Sequence, residues 1–171
     1  GMGVNNASKL QYVNSGKMGD NVYTRFSVST RETDGEHTNV YSNLKNVDFF
    51  EDTTIRGRVL VEEDDSSWDF RFGMSEASGG TINFNAVFAL PAFQGFGTPG
   101  AAQFFKDVNG HKFSYMFNVP PVNEQETSDL SIKYTEDLAD GRELSAIFAY
   151  NQLEEFLMSD GTSGAFGGYF G

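Results

Sequence analysis

In a chain without cysteine, catalysis or metal binding has to come from histidine, carboxylate or hydroxyl groups. His37 and His111 are the only histidines. Neither lies in an H-x-H or H-E-x-x-H arrangement, so no histidine pair is spaced to grip a metal or to serve beside a second base. Each follows a turn sequence, Asp34-Gly35 or Asn109-Gly110, which predicts a surface position for both. Serines are plentiful, but G-x-S-x-G is absent and no histidine stands in a relation that would activate a hydroxyl. The chain therefore reads as non-enzymatic, without cofactor and without a metal site.

Two acidic clusters are the remaining metal candidates. Glu62-Glu63-Asp64-Asp65 with Asp69 is one, and Asp137, Asp140 and Glu143 around Gly141 is the other. Neither follows the alternating-oxygen spacing of a calcium loop, and both read as solvated turns. Gly95-Phe96-Gly97-Thr98-Pro99-Gly100 has the glycine density of a phosphate loop. It lacks the strand–turn–helix setting, however, and Pro99 removes an N–H that a phosphate would need.

Binding is the better expectation. Phe93 and Phe96 sit in Pro91–Gly100, and Phe166, Tyr169 and Phe170 in the glycine-rich stretch Asp160–Gly171. Neither segment favours regular structure, so these five rings are the candidate contacts for a protein partner, a second copy or a small apolar ligand. A second reading starts from Phe26-Ser27-Val28-Ser29-Thr30 and Ile55-Arg56-Gly57-Arg58-Val59-Leu60-Val61-Glu62. These two segments resemble two strands of single-strand-binding OB folds, although the acidic terminal tip of that family is missing. That resemblance implies a single-stranded nucleic-acid interface at Tyr23, Arg25, Arg56 and Arg58.

Charge bears on both readings. The net charge is −12, from 24 acidic and 12 basic residues, which disfavours phosphate binding by the molecule as a whole. Residues 1–121 carry 14 acidic and 10 basic residues, and residues 122–171 carry 10 and 2, so a local basic patch can only lie in the first part. No run approaches the roughly 20 apolar residues of a membrane span. With Met2 as a native start and a polar stretch bearing Lys9 after it, no signal peptide is expected and a cytoplasmic location is favoured.

The elements that would position these residues are strands. The chain holds 17 Phe, 7 Tyr, 1 Trp and 19 Gly, a mixture suited to sheets joined by tight turns. Trp68, Phe70, Phe72 and Met74 alternate with Asp69, Arg71 and Gly73, the cleanest period-2 signal in the chain. Its regularity predicts a core position for Trp68. Val22–Thr30 puts Val22, Thr24, Phe26 and Val28 on one face, with a return predicted through His37–Tyr41. Asn46–Phe50 is a candidate short strand, and Thr54–Glu62 a longer one with Gly57 as a candidate bulge. Further strands are expected at Thr81–Leu90, His111–Val119 and Leu130–Thr135, the last after an acidic loop Asn123–Asp129. Asp140-Gly141 predicts a hairpin returning through Glu143–Tyr150, followed by a short helix Gln152–Met158.

These elements predict an all-β chain with room for one short C-terminal helix, folded as an antiparallel β-barrel or a two-sheet β-sandwich, with an aromatic-lined interior able to hold a ligand. Residues 22–158 form the expected β domain. Residues 1–21 read as a loosely ordered lead-in and residues 159–171 as a glycine and aromatic tail.

Overall fold

The computed structural model describes residues 5–39, 42–80 and 122–158. Within them the chain is all-β: one six-stranded antiparallel sheet in which each strand lies beside its sequence neighbour. The strands are β1 (Ser8–Lys17), β2 (Val22–Thr33), β3 (Phe50–Glu62), β4 (Ser66–Gly79), β5 (Val122–Asp137) and β6 (Glu143–Met158). The sheet is open among these residues, with β1 and β6 at its edges, and no second sheet faces it.

Local chemistry accounts for the short turns. Met18 N–H donates to Val22 O at 2.8 Å between β1 and β2, and Glu63 N–H to Ser66 O at 2.7 Å between β3 and β4. The acidic run Glu62–Asp65 thus closes a hairpin, where its charges stay in water. Gly141 takes φ +81° between β5 and β6, a backbone that L side chains rarely adopt, and the Asp140-Gly141 hairpin forms where the sequence predicts it.

Several expectations need correction. Residues 8–17, in the segment read as a lead-in, form β1 and pair along their length with β2. The return predicted through His37–Tyr41 is not β2's partner: β2 pairs with β1 and β3, and among the described residues only an isolated Thr38–Lys45 bridge forms in the connection to β3. The short strand expected at Asn46–Phe50 does not form: residues 46–49 are outside any strand, and β3 begins at Phe50. Gly57 is no bulge, because it pairs in unbroken register with Phe26 and Phe72. A Cβ there would run into the Phe72 ring, so glycine leaves room for the ring to lie across the strand. Residues 123–129 are strand rather than acidic loop, since β4 extends far enough to pair with all of them. Gln152–Met158 is not a helix but the second half of β6, bonded to Val122–Ser128. The strands predicted at Thr81–Leu90 and His111–Val119 lie outside the described residues.

The register fixes the two faces, because directly opposed residues point to the same side. Across β2 to β6 one face carries the rows Phe26–Gly57–Phe72–Leu130–Tyr150, Thr24–Val59–Phe70–Ile132–Phe148 and Val22–Val61–Trp68–Tyr134–Ala146. This is the apolar face. Trp68 packs on Tyr134 with ring centroids 4.6 Å apart and stacks along its own strand on Phe70 at 6.0 Å. Such pairs contribute about 0.5–1.5 kcal/mol each beyond their buried area.

The opposite face is polar and carries every Lys and Arg of the six strands: Lys9, Lys17, Arg25, Arg31, Arg56, Arg58, Arg71 and Lys133. These are eight of the chain's 12 basic residues, gathered on one side of an acidic molecule.

Candidate interaction surfaces

Three features of this sheet bear on function: an apolar face uncovered among the described residues, an arginine-bearing face and an edge strand, β6, that has no second neighbour among them. On the apolar face Phe26, Trp68, Phe70, Phe72, Phe148 and Tyr150 are between 37% and 60% exposed. Trp68, predicted to be core, is therefore half-open. The only buried hydrophobic residue among those described is Val47, in the β2–β3 connection. Over β2 to β6 a sheet twelve to sixteen residues tall presents a core-like surface, and among the described residues no layer lies on top of it. Towards one end this face turns acidic: Glu76, Glu126 and Glu154 stand side by side on β4, β5 and β6.

On the polar face the register brings the four predicted nucleic-acid contacts together. Arg25 on β2 stands directly opposite Arg58 on β3, with Tyr23 and Arg56 one same-face step away. The three arginines, without Tyr23, border a shallow cleft of about 390 Å³ whose lining also includes Ser27 and Arg71. Asp69 neutralises part of this charge. Arg58 donates to its two carboxylate oxygens at 2.8 and 3.0 Å, and Arg71 donates from Nε at 3.0 Å and from its terminal nitrogen at 2.5 Å. Burial of Asp69 opposes its ionisation, but the bonds from Arg71 and Arg58 outweigh that and bring its pKa down to about 2. Arg25 and Arg56 form no ion pair among the described residues. Lys17 lies 5.9 Å from the centre of the Tyr23 ring, adding a cation at the same end of the face.

The edges differ in kind. β6 is apolar on both faces, with Leu144, Ala146, Phe148 and Tyr150 on one and Ile147, Ala149, Leu153 and Leu157 on the other. Composition of that sort belongs to the middle of a sheet.

The remaining predicted residues fall as follows. His37 is not on the open surface: its Nδ1 lies 2.6 Å from Asp48 Oδ2, and both side chains are mostly buried in the β2–β3 connection. Asp48 Oδ1 accepts from the backbone N–H of Glu36 and His37 at 2.8 and 2.7 Å. Burial raises the Asp48 pKa, but the His37 ring and those two amides outweigh it and hold the carboxyl below its usual range. The arrangement ties a loop; it leaves no carboxylate oxygen aimed at a substrate. Of the two acidic clusters, Asp69 is turned onto arginines and Asp140 is bound by Arg142 at 2.7 Å. Among the described residues no three His, Asp or Glu side chains converge on a point that would hold a metal. Phe93, Phe96, Phe166, Tyr169, Phe170 and His111 lie outside the described residues. No helix among them is long and apolar enough to cross a membrane.

No protein-family model matches the chain, and searches of curated proteins and of solved structures find no match.

Proposed function

We propose that the chain is a non-enzymatic binding and assembly module whose apolar sheet face is covered by further copies of itself. The observation that supports this is the half-exposed row of six rings on a continuous sheet face. A ring of this kind contributes roughly 150–250 Å² when fully covered, so the exposed half of six amounts to about 500 Å² before the aliphatic neighbours are added. A stable interface needs on the order of 800 Å² per partner, and Val59, Met74, Leu130 and Leu144 on the same face bring the surface into that range. Copies arranged around a common axis with these faces inward would complete a barrel from sheets that are open among the described residues. The test is light scattering across concentration for the native chain and for Phe70→Lys. Assembly of the native chain and at least a tenfold loss of association in the variant are expected. A native chain that stays monomeric at 100-fold different concentrations overturns the proposal.

A second reading has its own support. Tyr23, Arg25, Arg56 and Arg58 converge on the polar face, and the two arginines without ion pairs are free to meet phosphates while the ring offers a stacking platform. On this reading the polar face binds single-stranded nucleic acid. A fluorescent oligonucleotide should bind with an affinity that falls steeply with salt and drops at least tenfold in Arg25→Glu/Arg56→Glu. Binding that ignores both salt and the double variant excludes it.

A further inference from the structure

We infer that β6 is an interior strand whose missing neighbour is β1 of a second copy, paired antiparallel in one defined register. This rests on the assembly reading and names the contact. Three observations carry it.

The first is the edge itself. β6 runs sixteen residues with no Lys, Arg or Pro, and Ile147, Phe148 and Leu153 are 68%, 60% and 61% exposed. Edge strands normally carry charges, prolines or bulges that block pairing with another chain. This one carries no cation, proline or bulge, and its three carboxylates, Glu143, Glu154 and Glu155, leave the ten residues from Leu144 to Leu153 uncharged.

The second is polarity. Six strands alternate in direction, so β1 and β6 run opposite ways. A copy brought up in the same orientation sets its β1 antiparallel to β6 and continues both faces of the sheet, apolar beside apolar. The pairing is head-to-tail, so repeated contacts generate a ring if the rotation closes and a filament if it does not.

The third is charge. β1 carries Lys9 and Lys17 and no acid, whereas β6 carries glutamates and no base. Lys9, Lys17, Glu143 and Glu155 all lie on the polar face, and Gln125 already donates to Glu155 at 2.8 Å. The lysines are eight residues apart and these glutamates twelve. Centring one pair on the other sets Lys17 beside Ser145 and Lys9 beside Leu153, two residues inside each glutamate. Such diagonal neighbours are about 7–8 Å apart, within reach of a lysine side chain. The same register sets Tyr12 beside Tyr150 on the apolar face and Gln11 beside Asn151 on the polar one. Pairing β6 with its own counterpart would supply no cation to these glutamates.

The absence of cysteine makes the test direct. Gln11→Cys and Asn151→Cys chains are prepared separately, mixed and oxidised, with Tyr12→Cys and Tyr150→Cys as a second pair whose side chains lie on the other face. A disulfide-linked dimer at least fivefold more abundant in a mixture than in either component alone is expected, from one pair or both. A chain carrying both substitutions should give a ladder of linked copies. Closure of that chain on itself as a cross-linked monomer overturns the inference, as does the absence of product from both pairs. Lys9→Glu/Lys17→Glu should weaken association at least tenfold, and Glu143→Lys/Glu155→Lys in the partner should restore it; failure of the restoration overturns the register. Light scattering on the same samples separates the two proposals. Oligomers without these cross-links leave assembly standing and remove this contact, whereas a strict monomer removes both.

Discussion

Replacing Asp69 by Asn tests whether the arginine network on the polar face stabilises the sheet or merely decorates it. The carboxyl is 8% exposed and takes four hydrogen bonds from Arg58 and Arg71. Its pKa falls from 3.8 to about 2, which corresponds to about 2 kcal/mol in favour of the ionised folded form. Both guanidinium groups are about half exposed, so screening by water and salt reduces that, and a loss of about 1–2 kcal/mol is expected in Asp69→Asn at pH 7. The sign follows from a folded pKa that lies below the unfolded one. The contribution is complete above about pH 4 and disappears as pH falls through about 2. Urea unfolding of both chains at pH 7, 5, 4 and 3 should show a gap that is constant down to about pH 4 and narrows below it. A gap under about 0.5 kcal/mol at pH 7, or one that does not shrink on acidification, would refute the reasoning. The same variant unmasks two arginines, so on the second reading it binds an oligonucleotide more tightly although it is less stable.

Other perturbations give equally definite expectations. Gly57→Ala pushes the Phe72 ring off its strand and should cost about 1–3 kcal/mol, measured by denaturant unfolding. In a Phe72→Ala background the same change should cost much less, and equal costs would show that the ring is not the obstacle. Asp48→Asn should speed hydrogen exchange at the Glu36 and His37 amides at least tenfold while leaving amides of the central strands unchanged. Glu126→Gln removes the middle charge of the row Glu76–Glu126–Glu154 and should stabilise the sheet by about 0.5 kcal/mol in low salt, a gain that fades at 0.5 M NaCl.

The sheet was legible in the sequence wherever one face is apolar and the other polar. Trp68 to Met74 announces β4, and Val22 to Val28 announces β2, because strict alternation has no helical counterpart. The second half of β6 hides because both faces of the strand are apolar: Leu144, Ile147 and Phe148 satisfy a helical stripe as well as a strand, so short apolar runs there do not declare their period. β5 hides for the converse reason, since Glu124, Gln125, Glu126 and Thr127 are polar on both sides and only the long reach of β4 makes them strand. Gly57 reads as a bulge in the sequence and is in fact a seat for a ring on the next strand, a relation that exists only once the register is known. For the interaction surfaces, the residue types were visible one by one. Their convergence was not, because Arg25 and Arg58 meet only when β2 and β3 pair across the sixteen-residue connection at residues 34–49.

The sorting of charge by face has a consequence beyond recognition. Among the described residues, a sheet with aromatic rings on one face and all the lysines and arginines of its strands on the other is amphiphilic across its thickness. At a boundary between water and an apolar phase the lowest-energy pose lays the rings into the apolar side and leaves the guanidinium groups wet. Such a chain behaves as an oriented film-former, and surface tension should fall at protein concentrations too low for association in bulk.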